Sequence, residues 1–121
     1  MLRSSSTANT TMAPNRIPTD REAVEASWSE RGFSCALWID PPEQVRKDFE
    51  HDVDELVLLT RGLAQIELAD QVVKLEAGDE LLIPAGVRHT IRNCGSGPAH
   101  WLHGYPLAQA NEGVQEAGAG E

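Results

Sequence analysis

From residue 33 onward the chain consists largely of short apolar segments, each five to seven residues long. The segments read FSCALWI, ELVLLT, LAQIEL, QVVKLE, ELLIP, HTIRN and HWLHGY. Between most of them lie turn-forming residues, such as Pro41-Pro42, Arg61-Gly62, Gly78-Asp79 and Gly95-Ser96-Gly97-Pro98. Short strands divided by Gly and Pro turns are typical of β-sandwiches and β-barrels. The sequence therefore predicts an all-β fold.

Two of the segments differ in how their side chains alternate. In QVVKLE, Val73 and Leu75 alternate with the charged Lys74 and Glu76, as expected of a strand with one buried face. In ELVLLT both faces are apolar. We therefore expect both sides of that strand to be covered, by a helix or by a partner subunit.

One short helix is predicted ahead of the strands. Thr19 and Glu22 have the spacing of a capping box, which marks a helix start. Val24 and Trp28 lie four residues apart on one helical stripe, and Gly32 ends the pattern.

Composition divides the chain into three parts. Residues 1–18 are rich in Ser and Thr and contain no acidic residue, and residues 106–121 are rich in Ala, Gly, Gln and Glu. Because these two segments have little apolar surface to offset their ordering entropy, we predict flexible tails. Residues 19–105 then form the only domain. A domain this small buries only about 60% of its unfolded surface, so dimerisation would help to stabilise it.

Charge and cysteine content limit the partners and the compartment. Ten basic against nineteen acidic residues give a net charge of −9, and there is no run of Lys and Arg. A nucleic acid or an anionic membrane surface would be repelled by that charge. No apolar run approaches the roughly 20 residues that span a bilayer. Cys35 and Cys94 form neither a disulfide framework nor a Cys-x-x-Cys motif, which favours a cytoplasmic protein.

Three residues have the side chains and spacing of a metal site. His51 and Glu55 lie four apart, so strand alternation places them on one face together with Val57. His89 follows the Pro84-x-Gly86 turn. Two imidazoles and one carboxylate inside a barrel suit a divalent transition metal, namely Fe, Mn, Zn, Ni or Cu. Three protein ligands leave coordination positions open for water or substrate.

These residues also lie within a longer pattern. GDELLIPAGVRHTIRN, from Gly78 to Asn93, fits Gly-x5-Pro-x-Gly-x2-His-x3-Asn at every fixed position, and it resembles the second motif of the cupin superfamily. His51-x3-Glu55-x6-Gly62 is similar to the second half of the first cupin motif. The first half departs from it, because Phe49 stands at the first histidine and Glu43 at the opening glycine. The resemblance covers roughly Phe33 to Tyr105.

The resemblance implies a double-stranded β-helix, or jelly-roll barrel, that is commonly a homodimer and has a pocket at one end. It also implies a metal held by three histidines and one glutamate. Carried over to this chain, the ligands are His51, Glu55 and His89, and Phe49 cannot supply the fourth. Either two histidines and one carboxylate form a facial triad, or another side chain substitutes, or the metal is lost and the pocket is a dry binding cavity.

His103 and Tyr105 are further candidates for catalysis. They share one strand face with Trp101. If that face points inward, His103 lines the pocket as a base or as the missing ligand. If it points outward, His103 is a surface or dimer-contact residue. Among the acidic residues, Asp54 could replace Glu55 as ligand, but alternation from His51 favours Glu55.

Two functions from different classes remain open. The first is a small metal-dependent cupin enzyme, such as an oxygenase, an isomerase or a lyase, that acts on a small oxygenated organic molecule. The second is a non-catalytic sensor module, in which a dimer binds a metal or a small-molecule ligand, with a metal-free pocket as its variant. The fold does not choose the reaction, because similar barrels host several chemistries.

Overall fold

The computed structural model of the protein describes residues 13–68 and 70–107. It contains one helix, α1, and nine strands in the described ranges. In chain order the elements are β1 Asn15–Arg16, α1 Arg21–Glu30, β2 Ala36–Asp40, β3 Val45–Phe49, β4 Glu55–Arg61, β5 Leu63–Glu67, β6 Val72–Glu76, β7 Asp79–Ile83, β8 His89–Asn93 and β9 Ala99–Gly104. Each of the seven predicted segments overlaps one of these strands, and β2, β4, β7 and β9 extend one residue beyond the predicted segment.

The strands form two antiparallel sheets. One sheet has the order β1-β7-β4-β9-β2 and the other the order β3-β8-β5-β6. Buried side chains from both sheets meet between them, including Val57 and Leu59 of β4 and Ile66, Val73 and Leu75 of the other sheet. The predicted all-β jelly-roll barrel with one short helix is confirmed.

The strand with two apolar faces, β4, is covered on both sides. Val57 and Leu59 point into the core between the sheets. Leu56 and Leu58 point outward and pack in a second buried cluster with Val24 and Trp28 of α1 and with Leu102 of β9. The helix therefore covers the outer face of β4. The sequence had left open whether a helix or a partner subunit does so. Burial of each of these side chains contributes roughly 1.5–3 kcal/mol.

The start of α1 lies one residue beyond the predicted cap. Asp20 is the N-cap, and its carboxylate accepts a 3.0 Å hydrogen bond from the backbone N–H of Ala23. The prediction of Thr19 was wrong, because a carboxylate next to the helix N-terminus is favoured by both hydrogen bonding and the helix dipole. At the other end Gly32 adopts a φ of +85°, a left-handed conformation suited to glycine.

The structure contains two strands that the sequence pattern did not indicate. β3 reads VRKDF and is the edge strand of the four-stranded sheet. Its charged residues hide the alternation that marks a buried strand. β1 lies in the segment predicted to be a tail, and it pairs with β7 at Glu80 and Asp79. Residues 1–12 and 108–121, where the remaining predicted tails fall, lie outside the described residues.

Among the described residues, no helix is both long enough and apolar enough to cross a membrane.

Candidate metal centre

The three predicted ligands come from different parts of the barrel and converge at one end of it. Glu55 is the first residue of β4 in one sheet, and His89 is the first residue of β8 in the other. His51 lies in the loop between β3 and β4. One ligand atom from each of the three residues lies within 4.8 Å of the others.

The carboxylate of Glu55 is at the centre of this group. Its Oε1 atom lies 3.3 Å from Nε2 of His51 and 3.7 Å from Nε2 of His89. Glu55 is 6% exposed and His89 is 1% exposed. No hydrogen bond from the described part of the chain ends on Oε1 of Glu55. A buried carboxylate oxygen without a donor is costly, whereas a cation bound there would satisfy it. The donor set therefore fits a divalent metal ion.

A backbone hydrogen bond orients His89 toward this group. Its Nδ1 lies 3.0 Å from the carbonyl oxygen of Val87. Because a carbonyl can only accept, Nδ1 carries the proton in the neutral ring, and the lone pair of Nε2 faces Glu55. Outer hydrogen bonds of this kind fix the tautomer of metal-binding histidines.

Strand β9 turns its mixed polar and aromatic face into the pocket. Nδ1 of His103 lies 3.9 Å from Oε2 of Glu55. The ring of Tyr105 lies 5.4 Å from that of His51 and 6.1 Å from that of His103. Of the two orientations that the sequence allowed, the structure has the inward one. His103 lies outside the 4.8 Å group formed by His51, Glu55 and His89.

Asp54, the alternative ligand, points elsewhere. Its Oδ1 accepts a 2.9 Å hydrogen bond from the backbone N–H of Ala85. Arg92 of β8 pairs with Glu67 at 2.8 Å and does not line the pocket. The hydrogen bond from Arg92 holds the pKa of Glu67 below its usual value. Arg88 is exposed and lies 3.4 Å from Glu50.

A pocket of about 80 Å³ opens beside the cluster, enough for several water molecules or one small organic molecule. Most of its wall surface is apolar, although half of its lining residues are charged residues or histidines. The lining residues are Trp38, Asp40, Arg46, His51, Glu55, Val57, Ile91, Trp101, His103 and Tyr105.

Two polar residues of this pocket, Asp40 and Arg46, were missed in the sequence analysis. Asp40 is 1% exposed, and its Oδ1 accepts 2.7 Å hydrogen bonds from Nε1 of Trp38 and Nε of Arg46. Arg46 lies opposite Ile91 in the pairing of β3 with β8. Since Ile91 shares a face with His89, recognition of β3 would have placed Arg46 on the inner face. Trp38 is half-buried in the pocket wall.

A family model described as "Cupin domain" matches residues 36–105. The curated protein SchB from Streptomyces halstedii is 35% identical over 78 residues, which is 64% of this chain and 56% of SchB. The chain thus spans little more than half the length of that relative.

Two solved enzyme structures resemble this fold. The salicylate 1,2-dioxygenase from Pseudaminobacter salicylatoxidans is 17% identical with a TM-score of 0.60, over 67% of this chain and 24% of the dioxygenase. A variant of the oxalate decarboxylase from Bacillus subtilis is 21% identical with a TM-score of 0.56, over 62% of this chain and 22% of the decarboxylase. At these identities the likeness shows the fold alone.

Proposed function

The chain belongs to the cupin family, and from that premise we propose that it binds a divalent transition metal through His51, Glu55 and His89 and acts on a small oxygenated organic molecule. The observation that carries this proposal is the convergence of two imidazole nitrogens on the buried Oε1 of Glu55. The metal would polarise a carbonyl or activate dioxygen. Fe, Mn, Zn, Ni and Cu all suit this donor set.

The chain's own side chains supply the rest of the proposed chemistry. Phenylalanine has no ligand atom, so Phe49 leaves two histidines and one carboxylate with coordination positions open. Nδ1 of His103 faces the pocket near Oε2 of Glu55 and can accept a proton from a substrate hydroxyl. Tyr105 lies beside His51 and His103, where its hydroxyl can orient a substrate oxygen.

The names of similar enzymes support a small oxygenated substrate without selecting a reaction. One acts on salicylate as a dioxygenase, and the other is a decarboxylase of oxalate. Dioxygenase-, isomerase- and lyase-type reactions all remain within this proposal, because one barrel can host different chemistries.

A second candidate is a non-catalytic sensor module that works as a homodimer. It is favoured by the edge strand β2, where Leu37 is 50% exposed and Ile39 is 48% exposed on the same side. An apolar pair on an edge strand is a surface that a second copy can cover. Beyond the proposed metal ligands, the acid and base candidates in the pocket are His103 and Tyr105. This small supply also favours a non-catalytic module.

The predicted cytoplasmic location stays part of the proposal. Cys35 and Cys94 are free thiols, as expected in a reducing compartment.

An activity screen separates the two candidates. The metal-loaded protein is incubated with a panel of small organic acids, phenols and diketones, and products and oxygen uptake are measured. The enzyme proposal predicts turnover of at least one compound and its loss in His103→Phe, with metal content unchanged. Metal binding with no turnover of any compound would favour the sensor module. Mass spectrometry of ligands that co-purify with the protein would direct the choice of compounds.

A further inference from the structure

One side of the pocket carries a fixed positive group, the guanidinium of Arg46, that the proposed metal chemistry does not use. The guanidinium of Arg46 is held by Asp40, whose Oδ1 lies 2.7 Å from Nε and 2.6 Å from Nη2. Cζ of Arg46 also lies 3.9 Å from the centroid of the Trp38 ring. Trp38 is itself fixed by its hydrogen bond to Asp40. The guanidinium is therefore held both in its plane and from one face.

This arrangement leaves one edge of the guanidinium available. Arginine has five N–H donors, and Asp40 occupies the side pair formed by Nε and Nη2. Nη1 donates to none of the side chains that the structure describes, and the Arg46 side chain is 25% exposed. The end pair, Nη1 with the outer N–H of Nη2, has the geometry that binds a carboxylate through two parallel hydrogen bonds.

The charges around the pocket also favour a ligand with a carboxylate. Asp40 balances Arg46, so the pair is neutral, and Glu55 reduces the charge of a bound divalent cation by one. One net positive charge remains in a pocket with largely apolar walls. A monocarboxylate with an aromatic or aliphatic body would neutralise that charge and bury its apolar part against Trp38 and Trp101.

From this geometry we infer that Arg46 is a carboxylate-binding subsite and that the ligand is a small organic monoacid. Its carboxylate pairs with the end of the Arg46 guanidinium and its body lies in the apolar part of the pocket. The inference rests on the proposed function in taking this pocket as the ligand site and in taking the metal as bound, because the charge of the cation makes the pocket positive. Asp40 and Trp38 are positioning residues, because they act on the ligand through Arg46.

Benzoate and its neutral isostere benzamide test the subsite by calorimetric titration of the metal-loaded protein. We expect wild type to bind benzoate at least tenfold more tightly than benzamide. In the variant Asp40→Asn/Arg46→Gln, which removes both charges without leaving a buried one unpaired, that preference should fall to less than threefold. Arg46→Lys, which keeps the charge but loses the planar fork, should show an intermediate preference.

The half-buried ion pair of Arg92 with Glu67, which lies outside the pocket, provides the matched control. Glu67→Gln/Arg92→Gln removes the same charges outside the pocket and should leave both affinities unchanged. Equal binding of benzoate and benzamide by wild type would overturn the inference. It would also be overturned if the benzoate preference survived in Asp40→Asn/Arg46→Gln, because the carboxylate would then be bound by another group. Metal content measured on the same samples shows separately whether the proposed metal site has failed.

Discussion

The backbone N–H of Gly86 donates a 2.8 Å hydrogen bond to the carbonyl oxygen of His51. Beside it, the N–H of Ala85 donates to Oδ1 of Asp54. These two bonds join the loop that carries His51 to the turn that precedes His89. The two halves of the candidate metal site are thus tied together through the backbone, four residues or fewer from each ligand.

Asp54 should therefore influence metal affinity without touching the metal. Asp54→Ala removes one of the two bonds, and we expect the metal dissociation constant to rise about tenfold, as outer-sphere changes do. Asp54→Asn keeps an acceptor oxygen and should restore most of the affinity. Asp52→Ala, an exposed neighbour with the same loss of charge, is the control. An affinity for Asp54→Ala equal to that of the control would show that the link does not position the ligands.

The helix is anchored to the barrel by Trp28. Its ring is fully buried, and Nε1 donates a 2.7 Å hydrogen bond to the buried carboxylate of Glu80. Trp28→Phe leaves that carboxylate without one of its donors and opens a small cavity. We expect the free energy of unfolding in urea to fall by about 2–3 kcal/mol. Val72→Ala, at an exposed position, should change it by less than about 0.5 kcal/mol. A similar result for both variants would contradict the anchoring role.

Gly104 lies where β9 passes very close to the segment before β2. A Cβ atom at this position would overlap the backbone carbonyl of Ser34 and lie 3.1 Å from the Trp28 ring. Backbone atoms cannot move aside cheaply, so Gly104→Ala should lower the free energy of unfolding by more than about 3 kcal/mol. Gly97→Ala, with no atom within 4 Å of the new Cβ, is the matched control. Equal stability of the two variants would mean that β9 is not held this closely.

The apolar edge of β2 predicts the assembly state. If Leu37 and Ile39 are covered by a second copy, sedimentation should show a wild-type dimer and a monomeric Leu37→Lys/Ile39→Lys variant. Leu63→Lys/Val72→Lys changes two equally exposed apolar residues on the other sheet and should leave the dimer intact. A monomeric wild type at micromolar concentration, or dissociation of both variants alike, would contradict a dimer through β2.

Most of the barrel could be predicted from the sequence. Turn residues divided the apolar segments correctly, and the two apolar faces of β4 correctly indicated a layer on each side. The spacing of His51, Glu55 and His89 also placed three side chains that the fold brings together. These features succeed because they depend on local alternation and on turns.

Other features depended on contacts that alternation does not encode. β3 was missed because it is an edge strand with several charged residues. Arg46 and its contact with Asp40 were therefore missed as well. The facing of His103 could not be chosen, since the neighbouring Trp101 and Leu102 are both buried, on opposite faces of β9. Apolarity on both sides gives no preference for either face. The helix cap differed by one residue because Thr19 and Asp20 are both good caps.

The metal content of the purified protein tests the central claim most directly. Protein prepared without chelator is incubated with excess divalent transition metal, passed through a desalting column and measured by mass spectrometry of the elements. Wild type should carry close to one ion per chain, and His89→Ala and His51→Ala less than about a tenth of that, with unchanged circular dichroism. His100→Ala, a histidine outside the pocket, should bind like wild type. Wild type that carries no metal and binds none in excess, or His89→Ala that binds like wild type, would contradict the account.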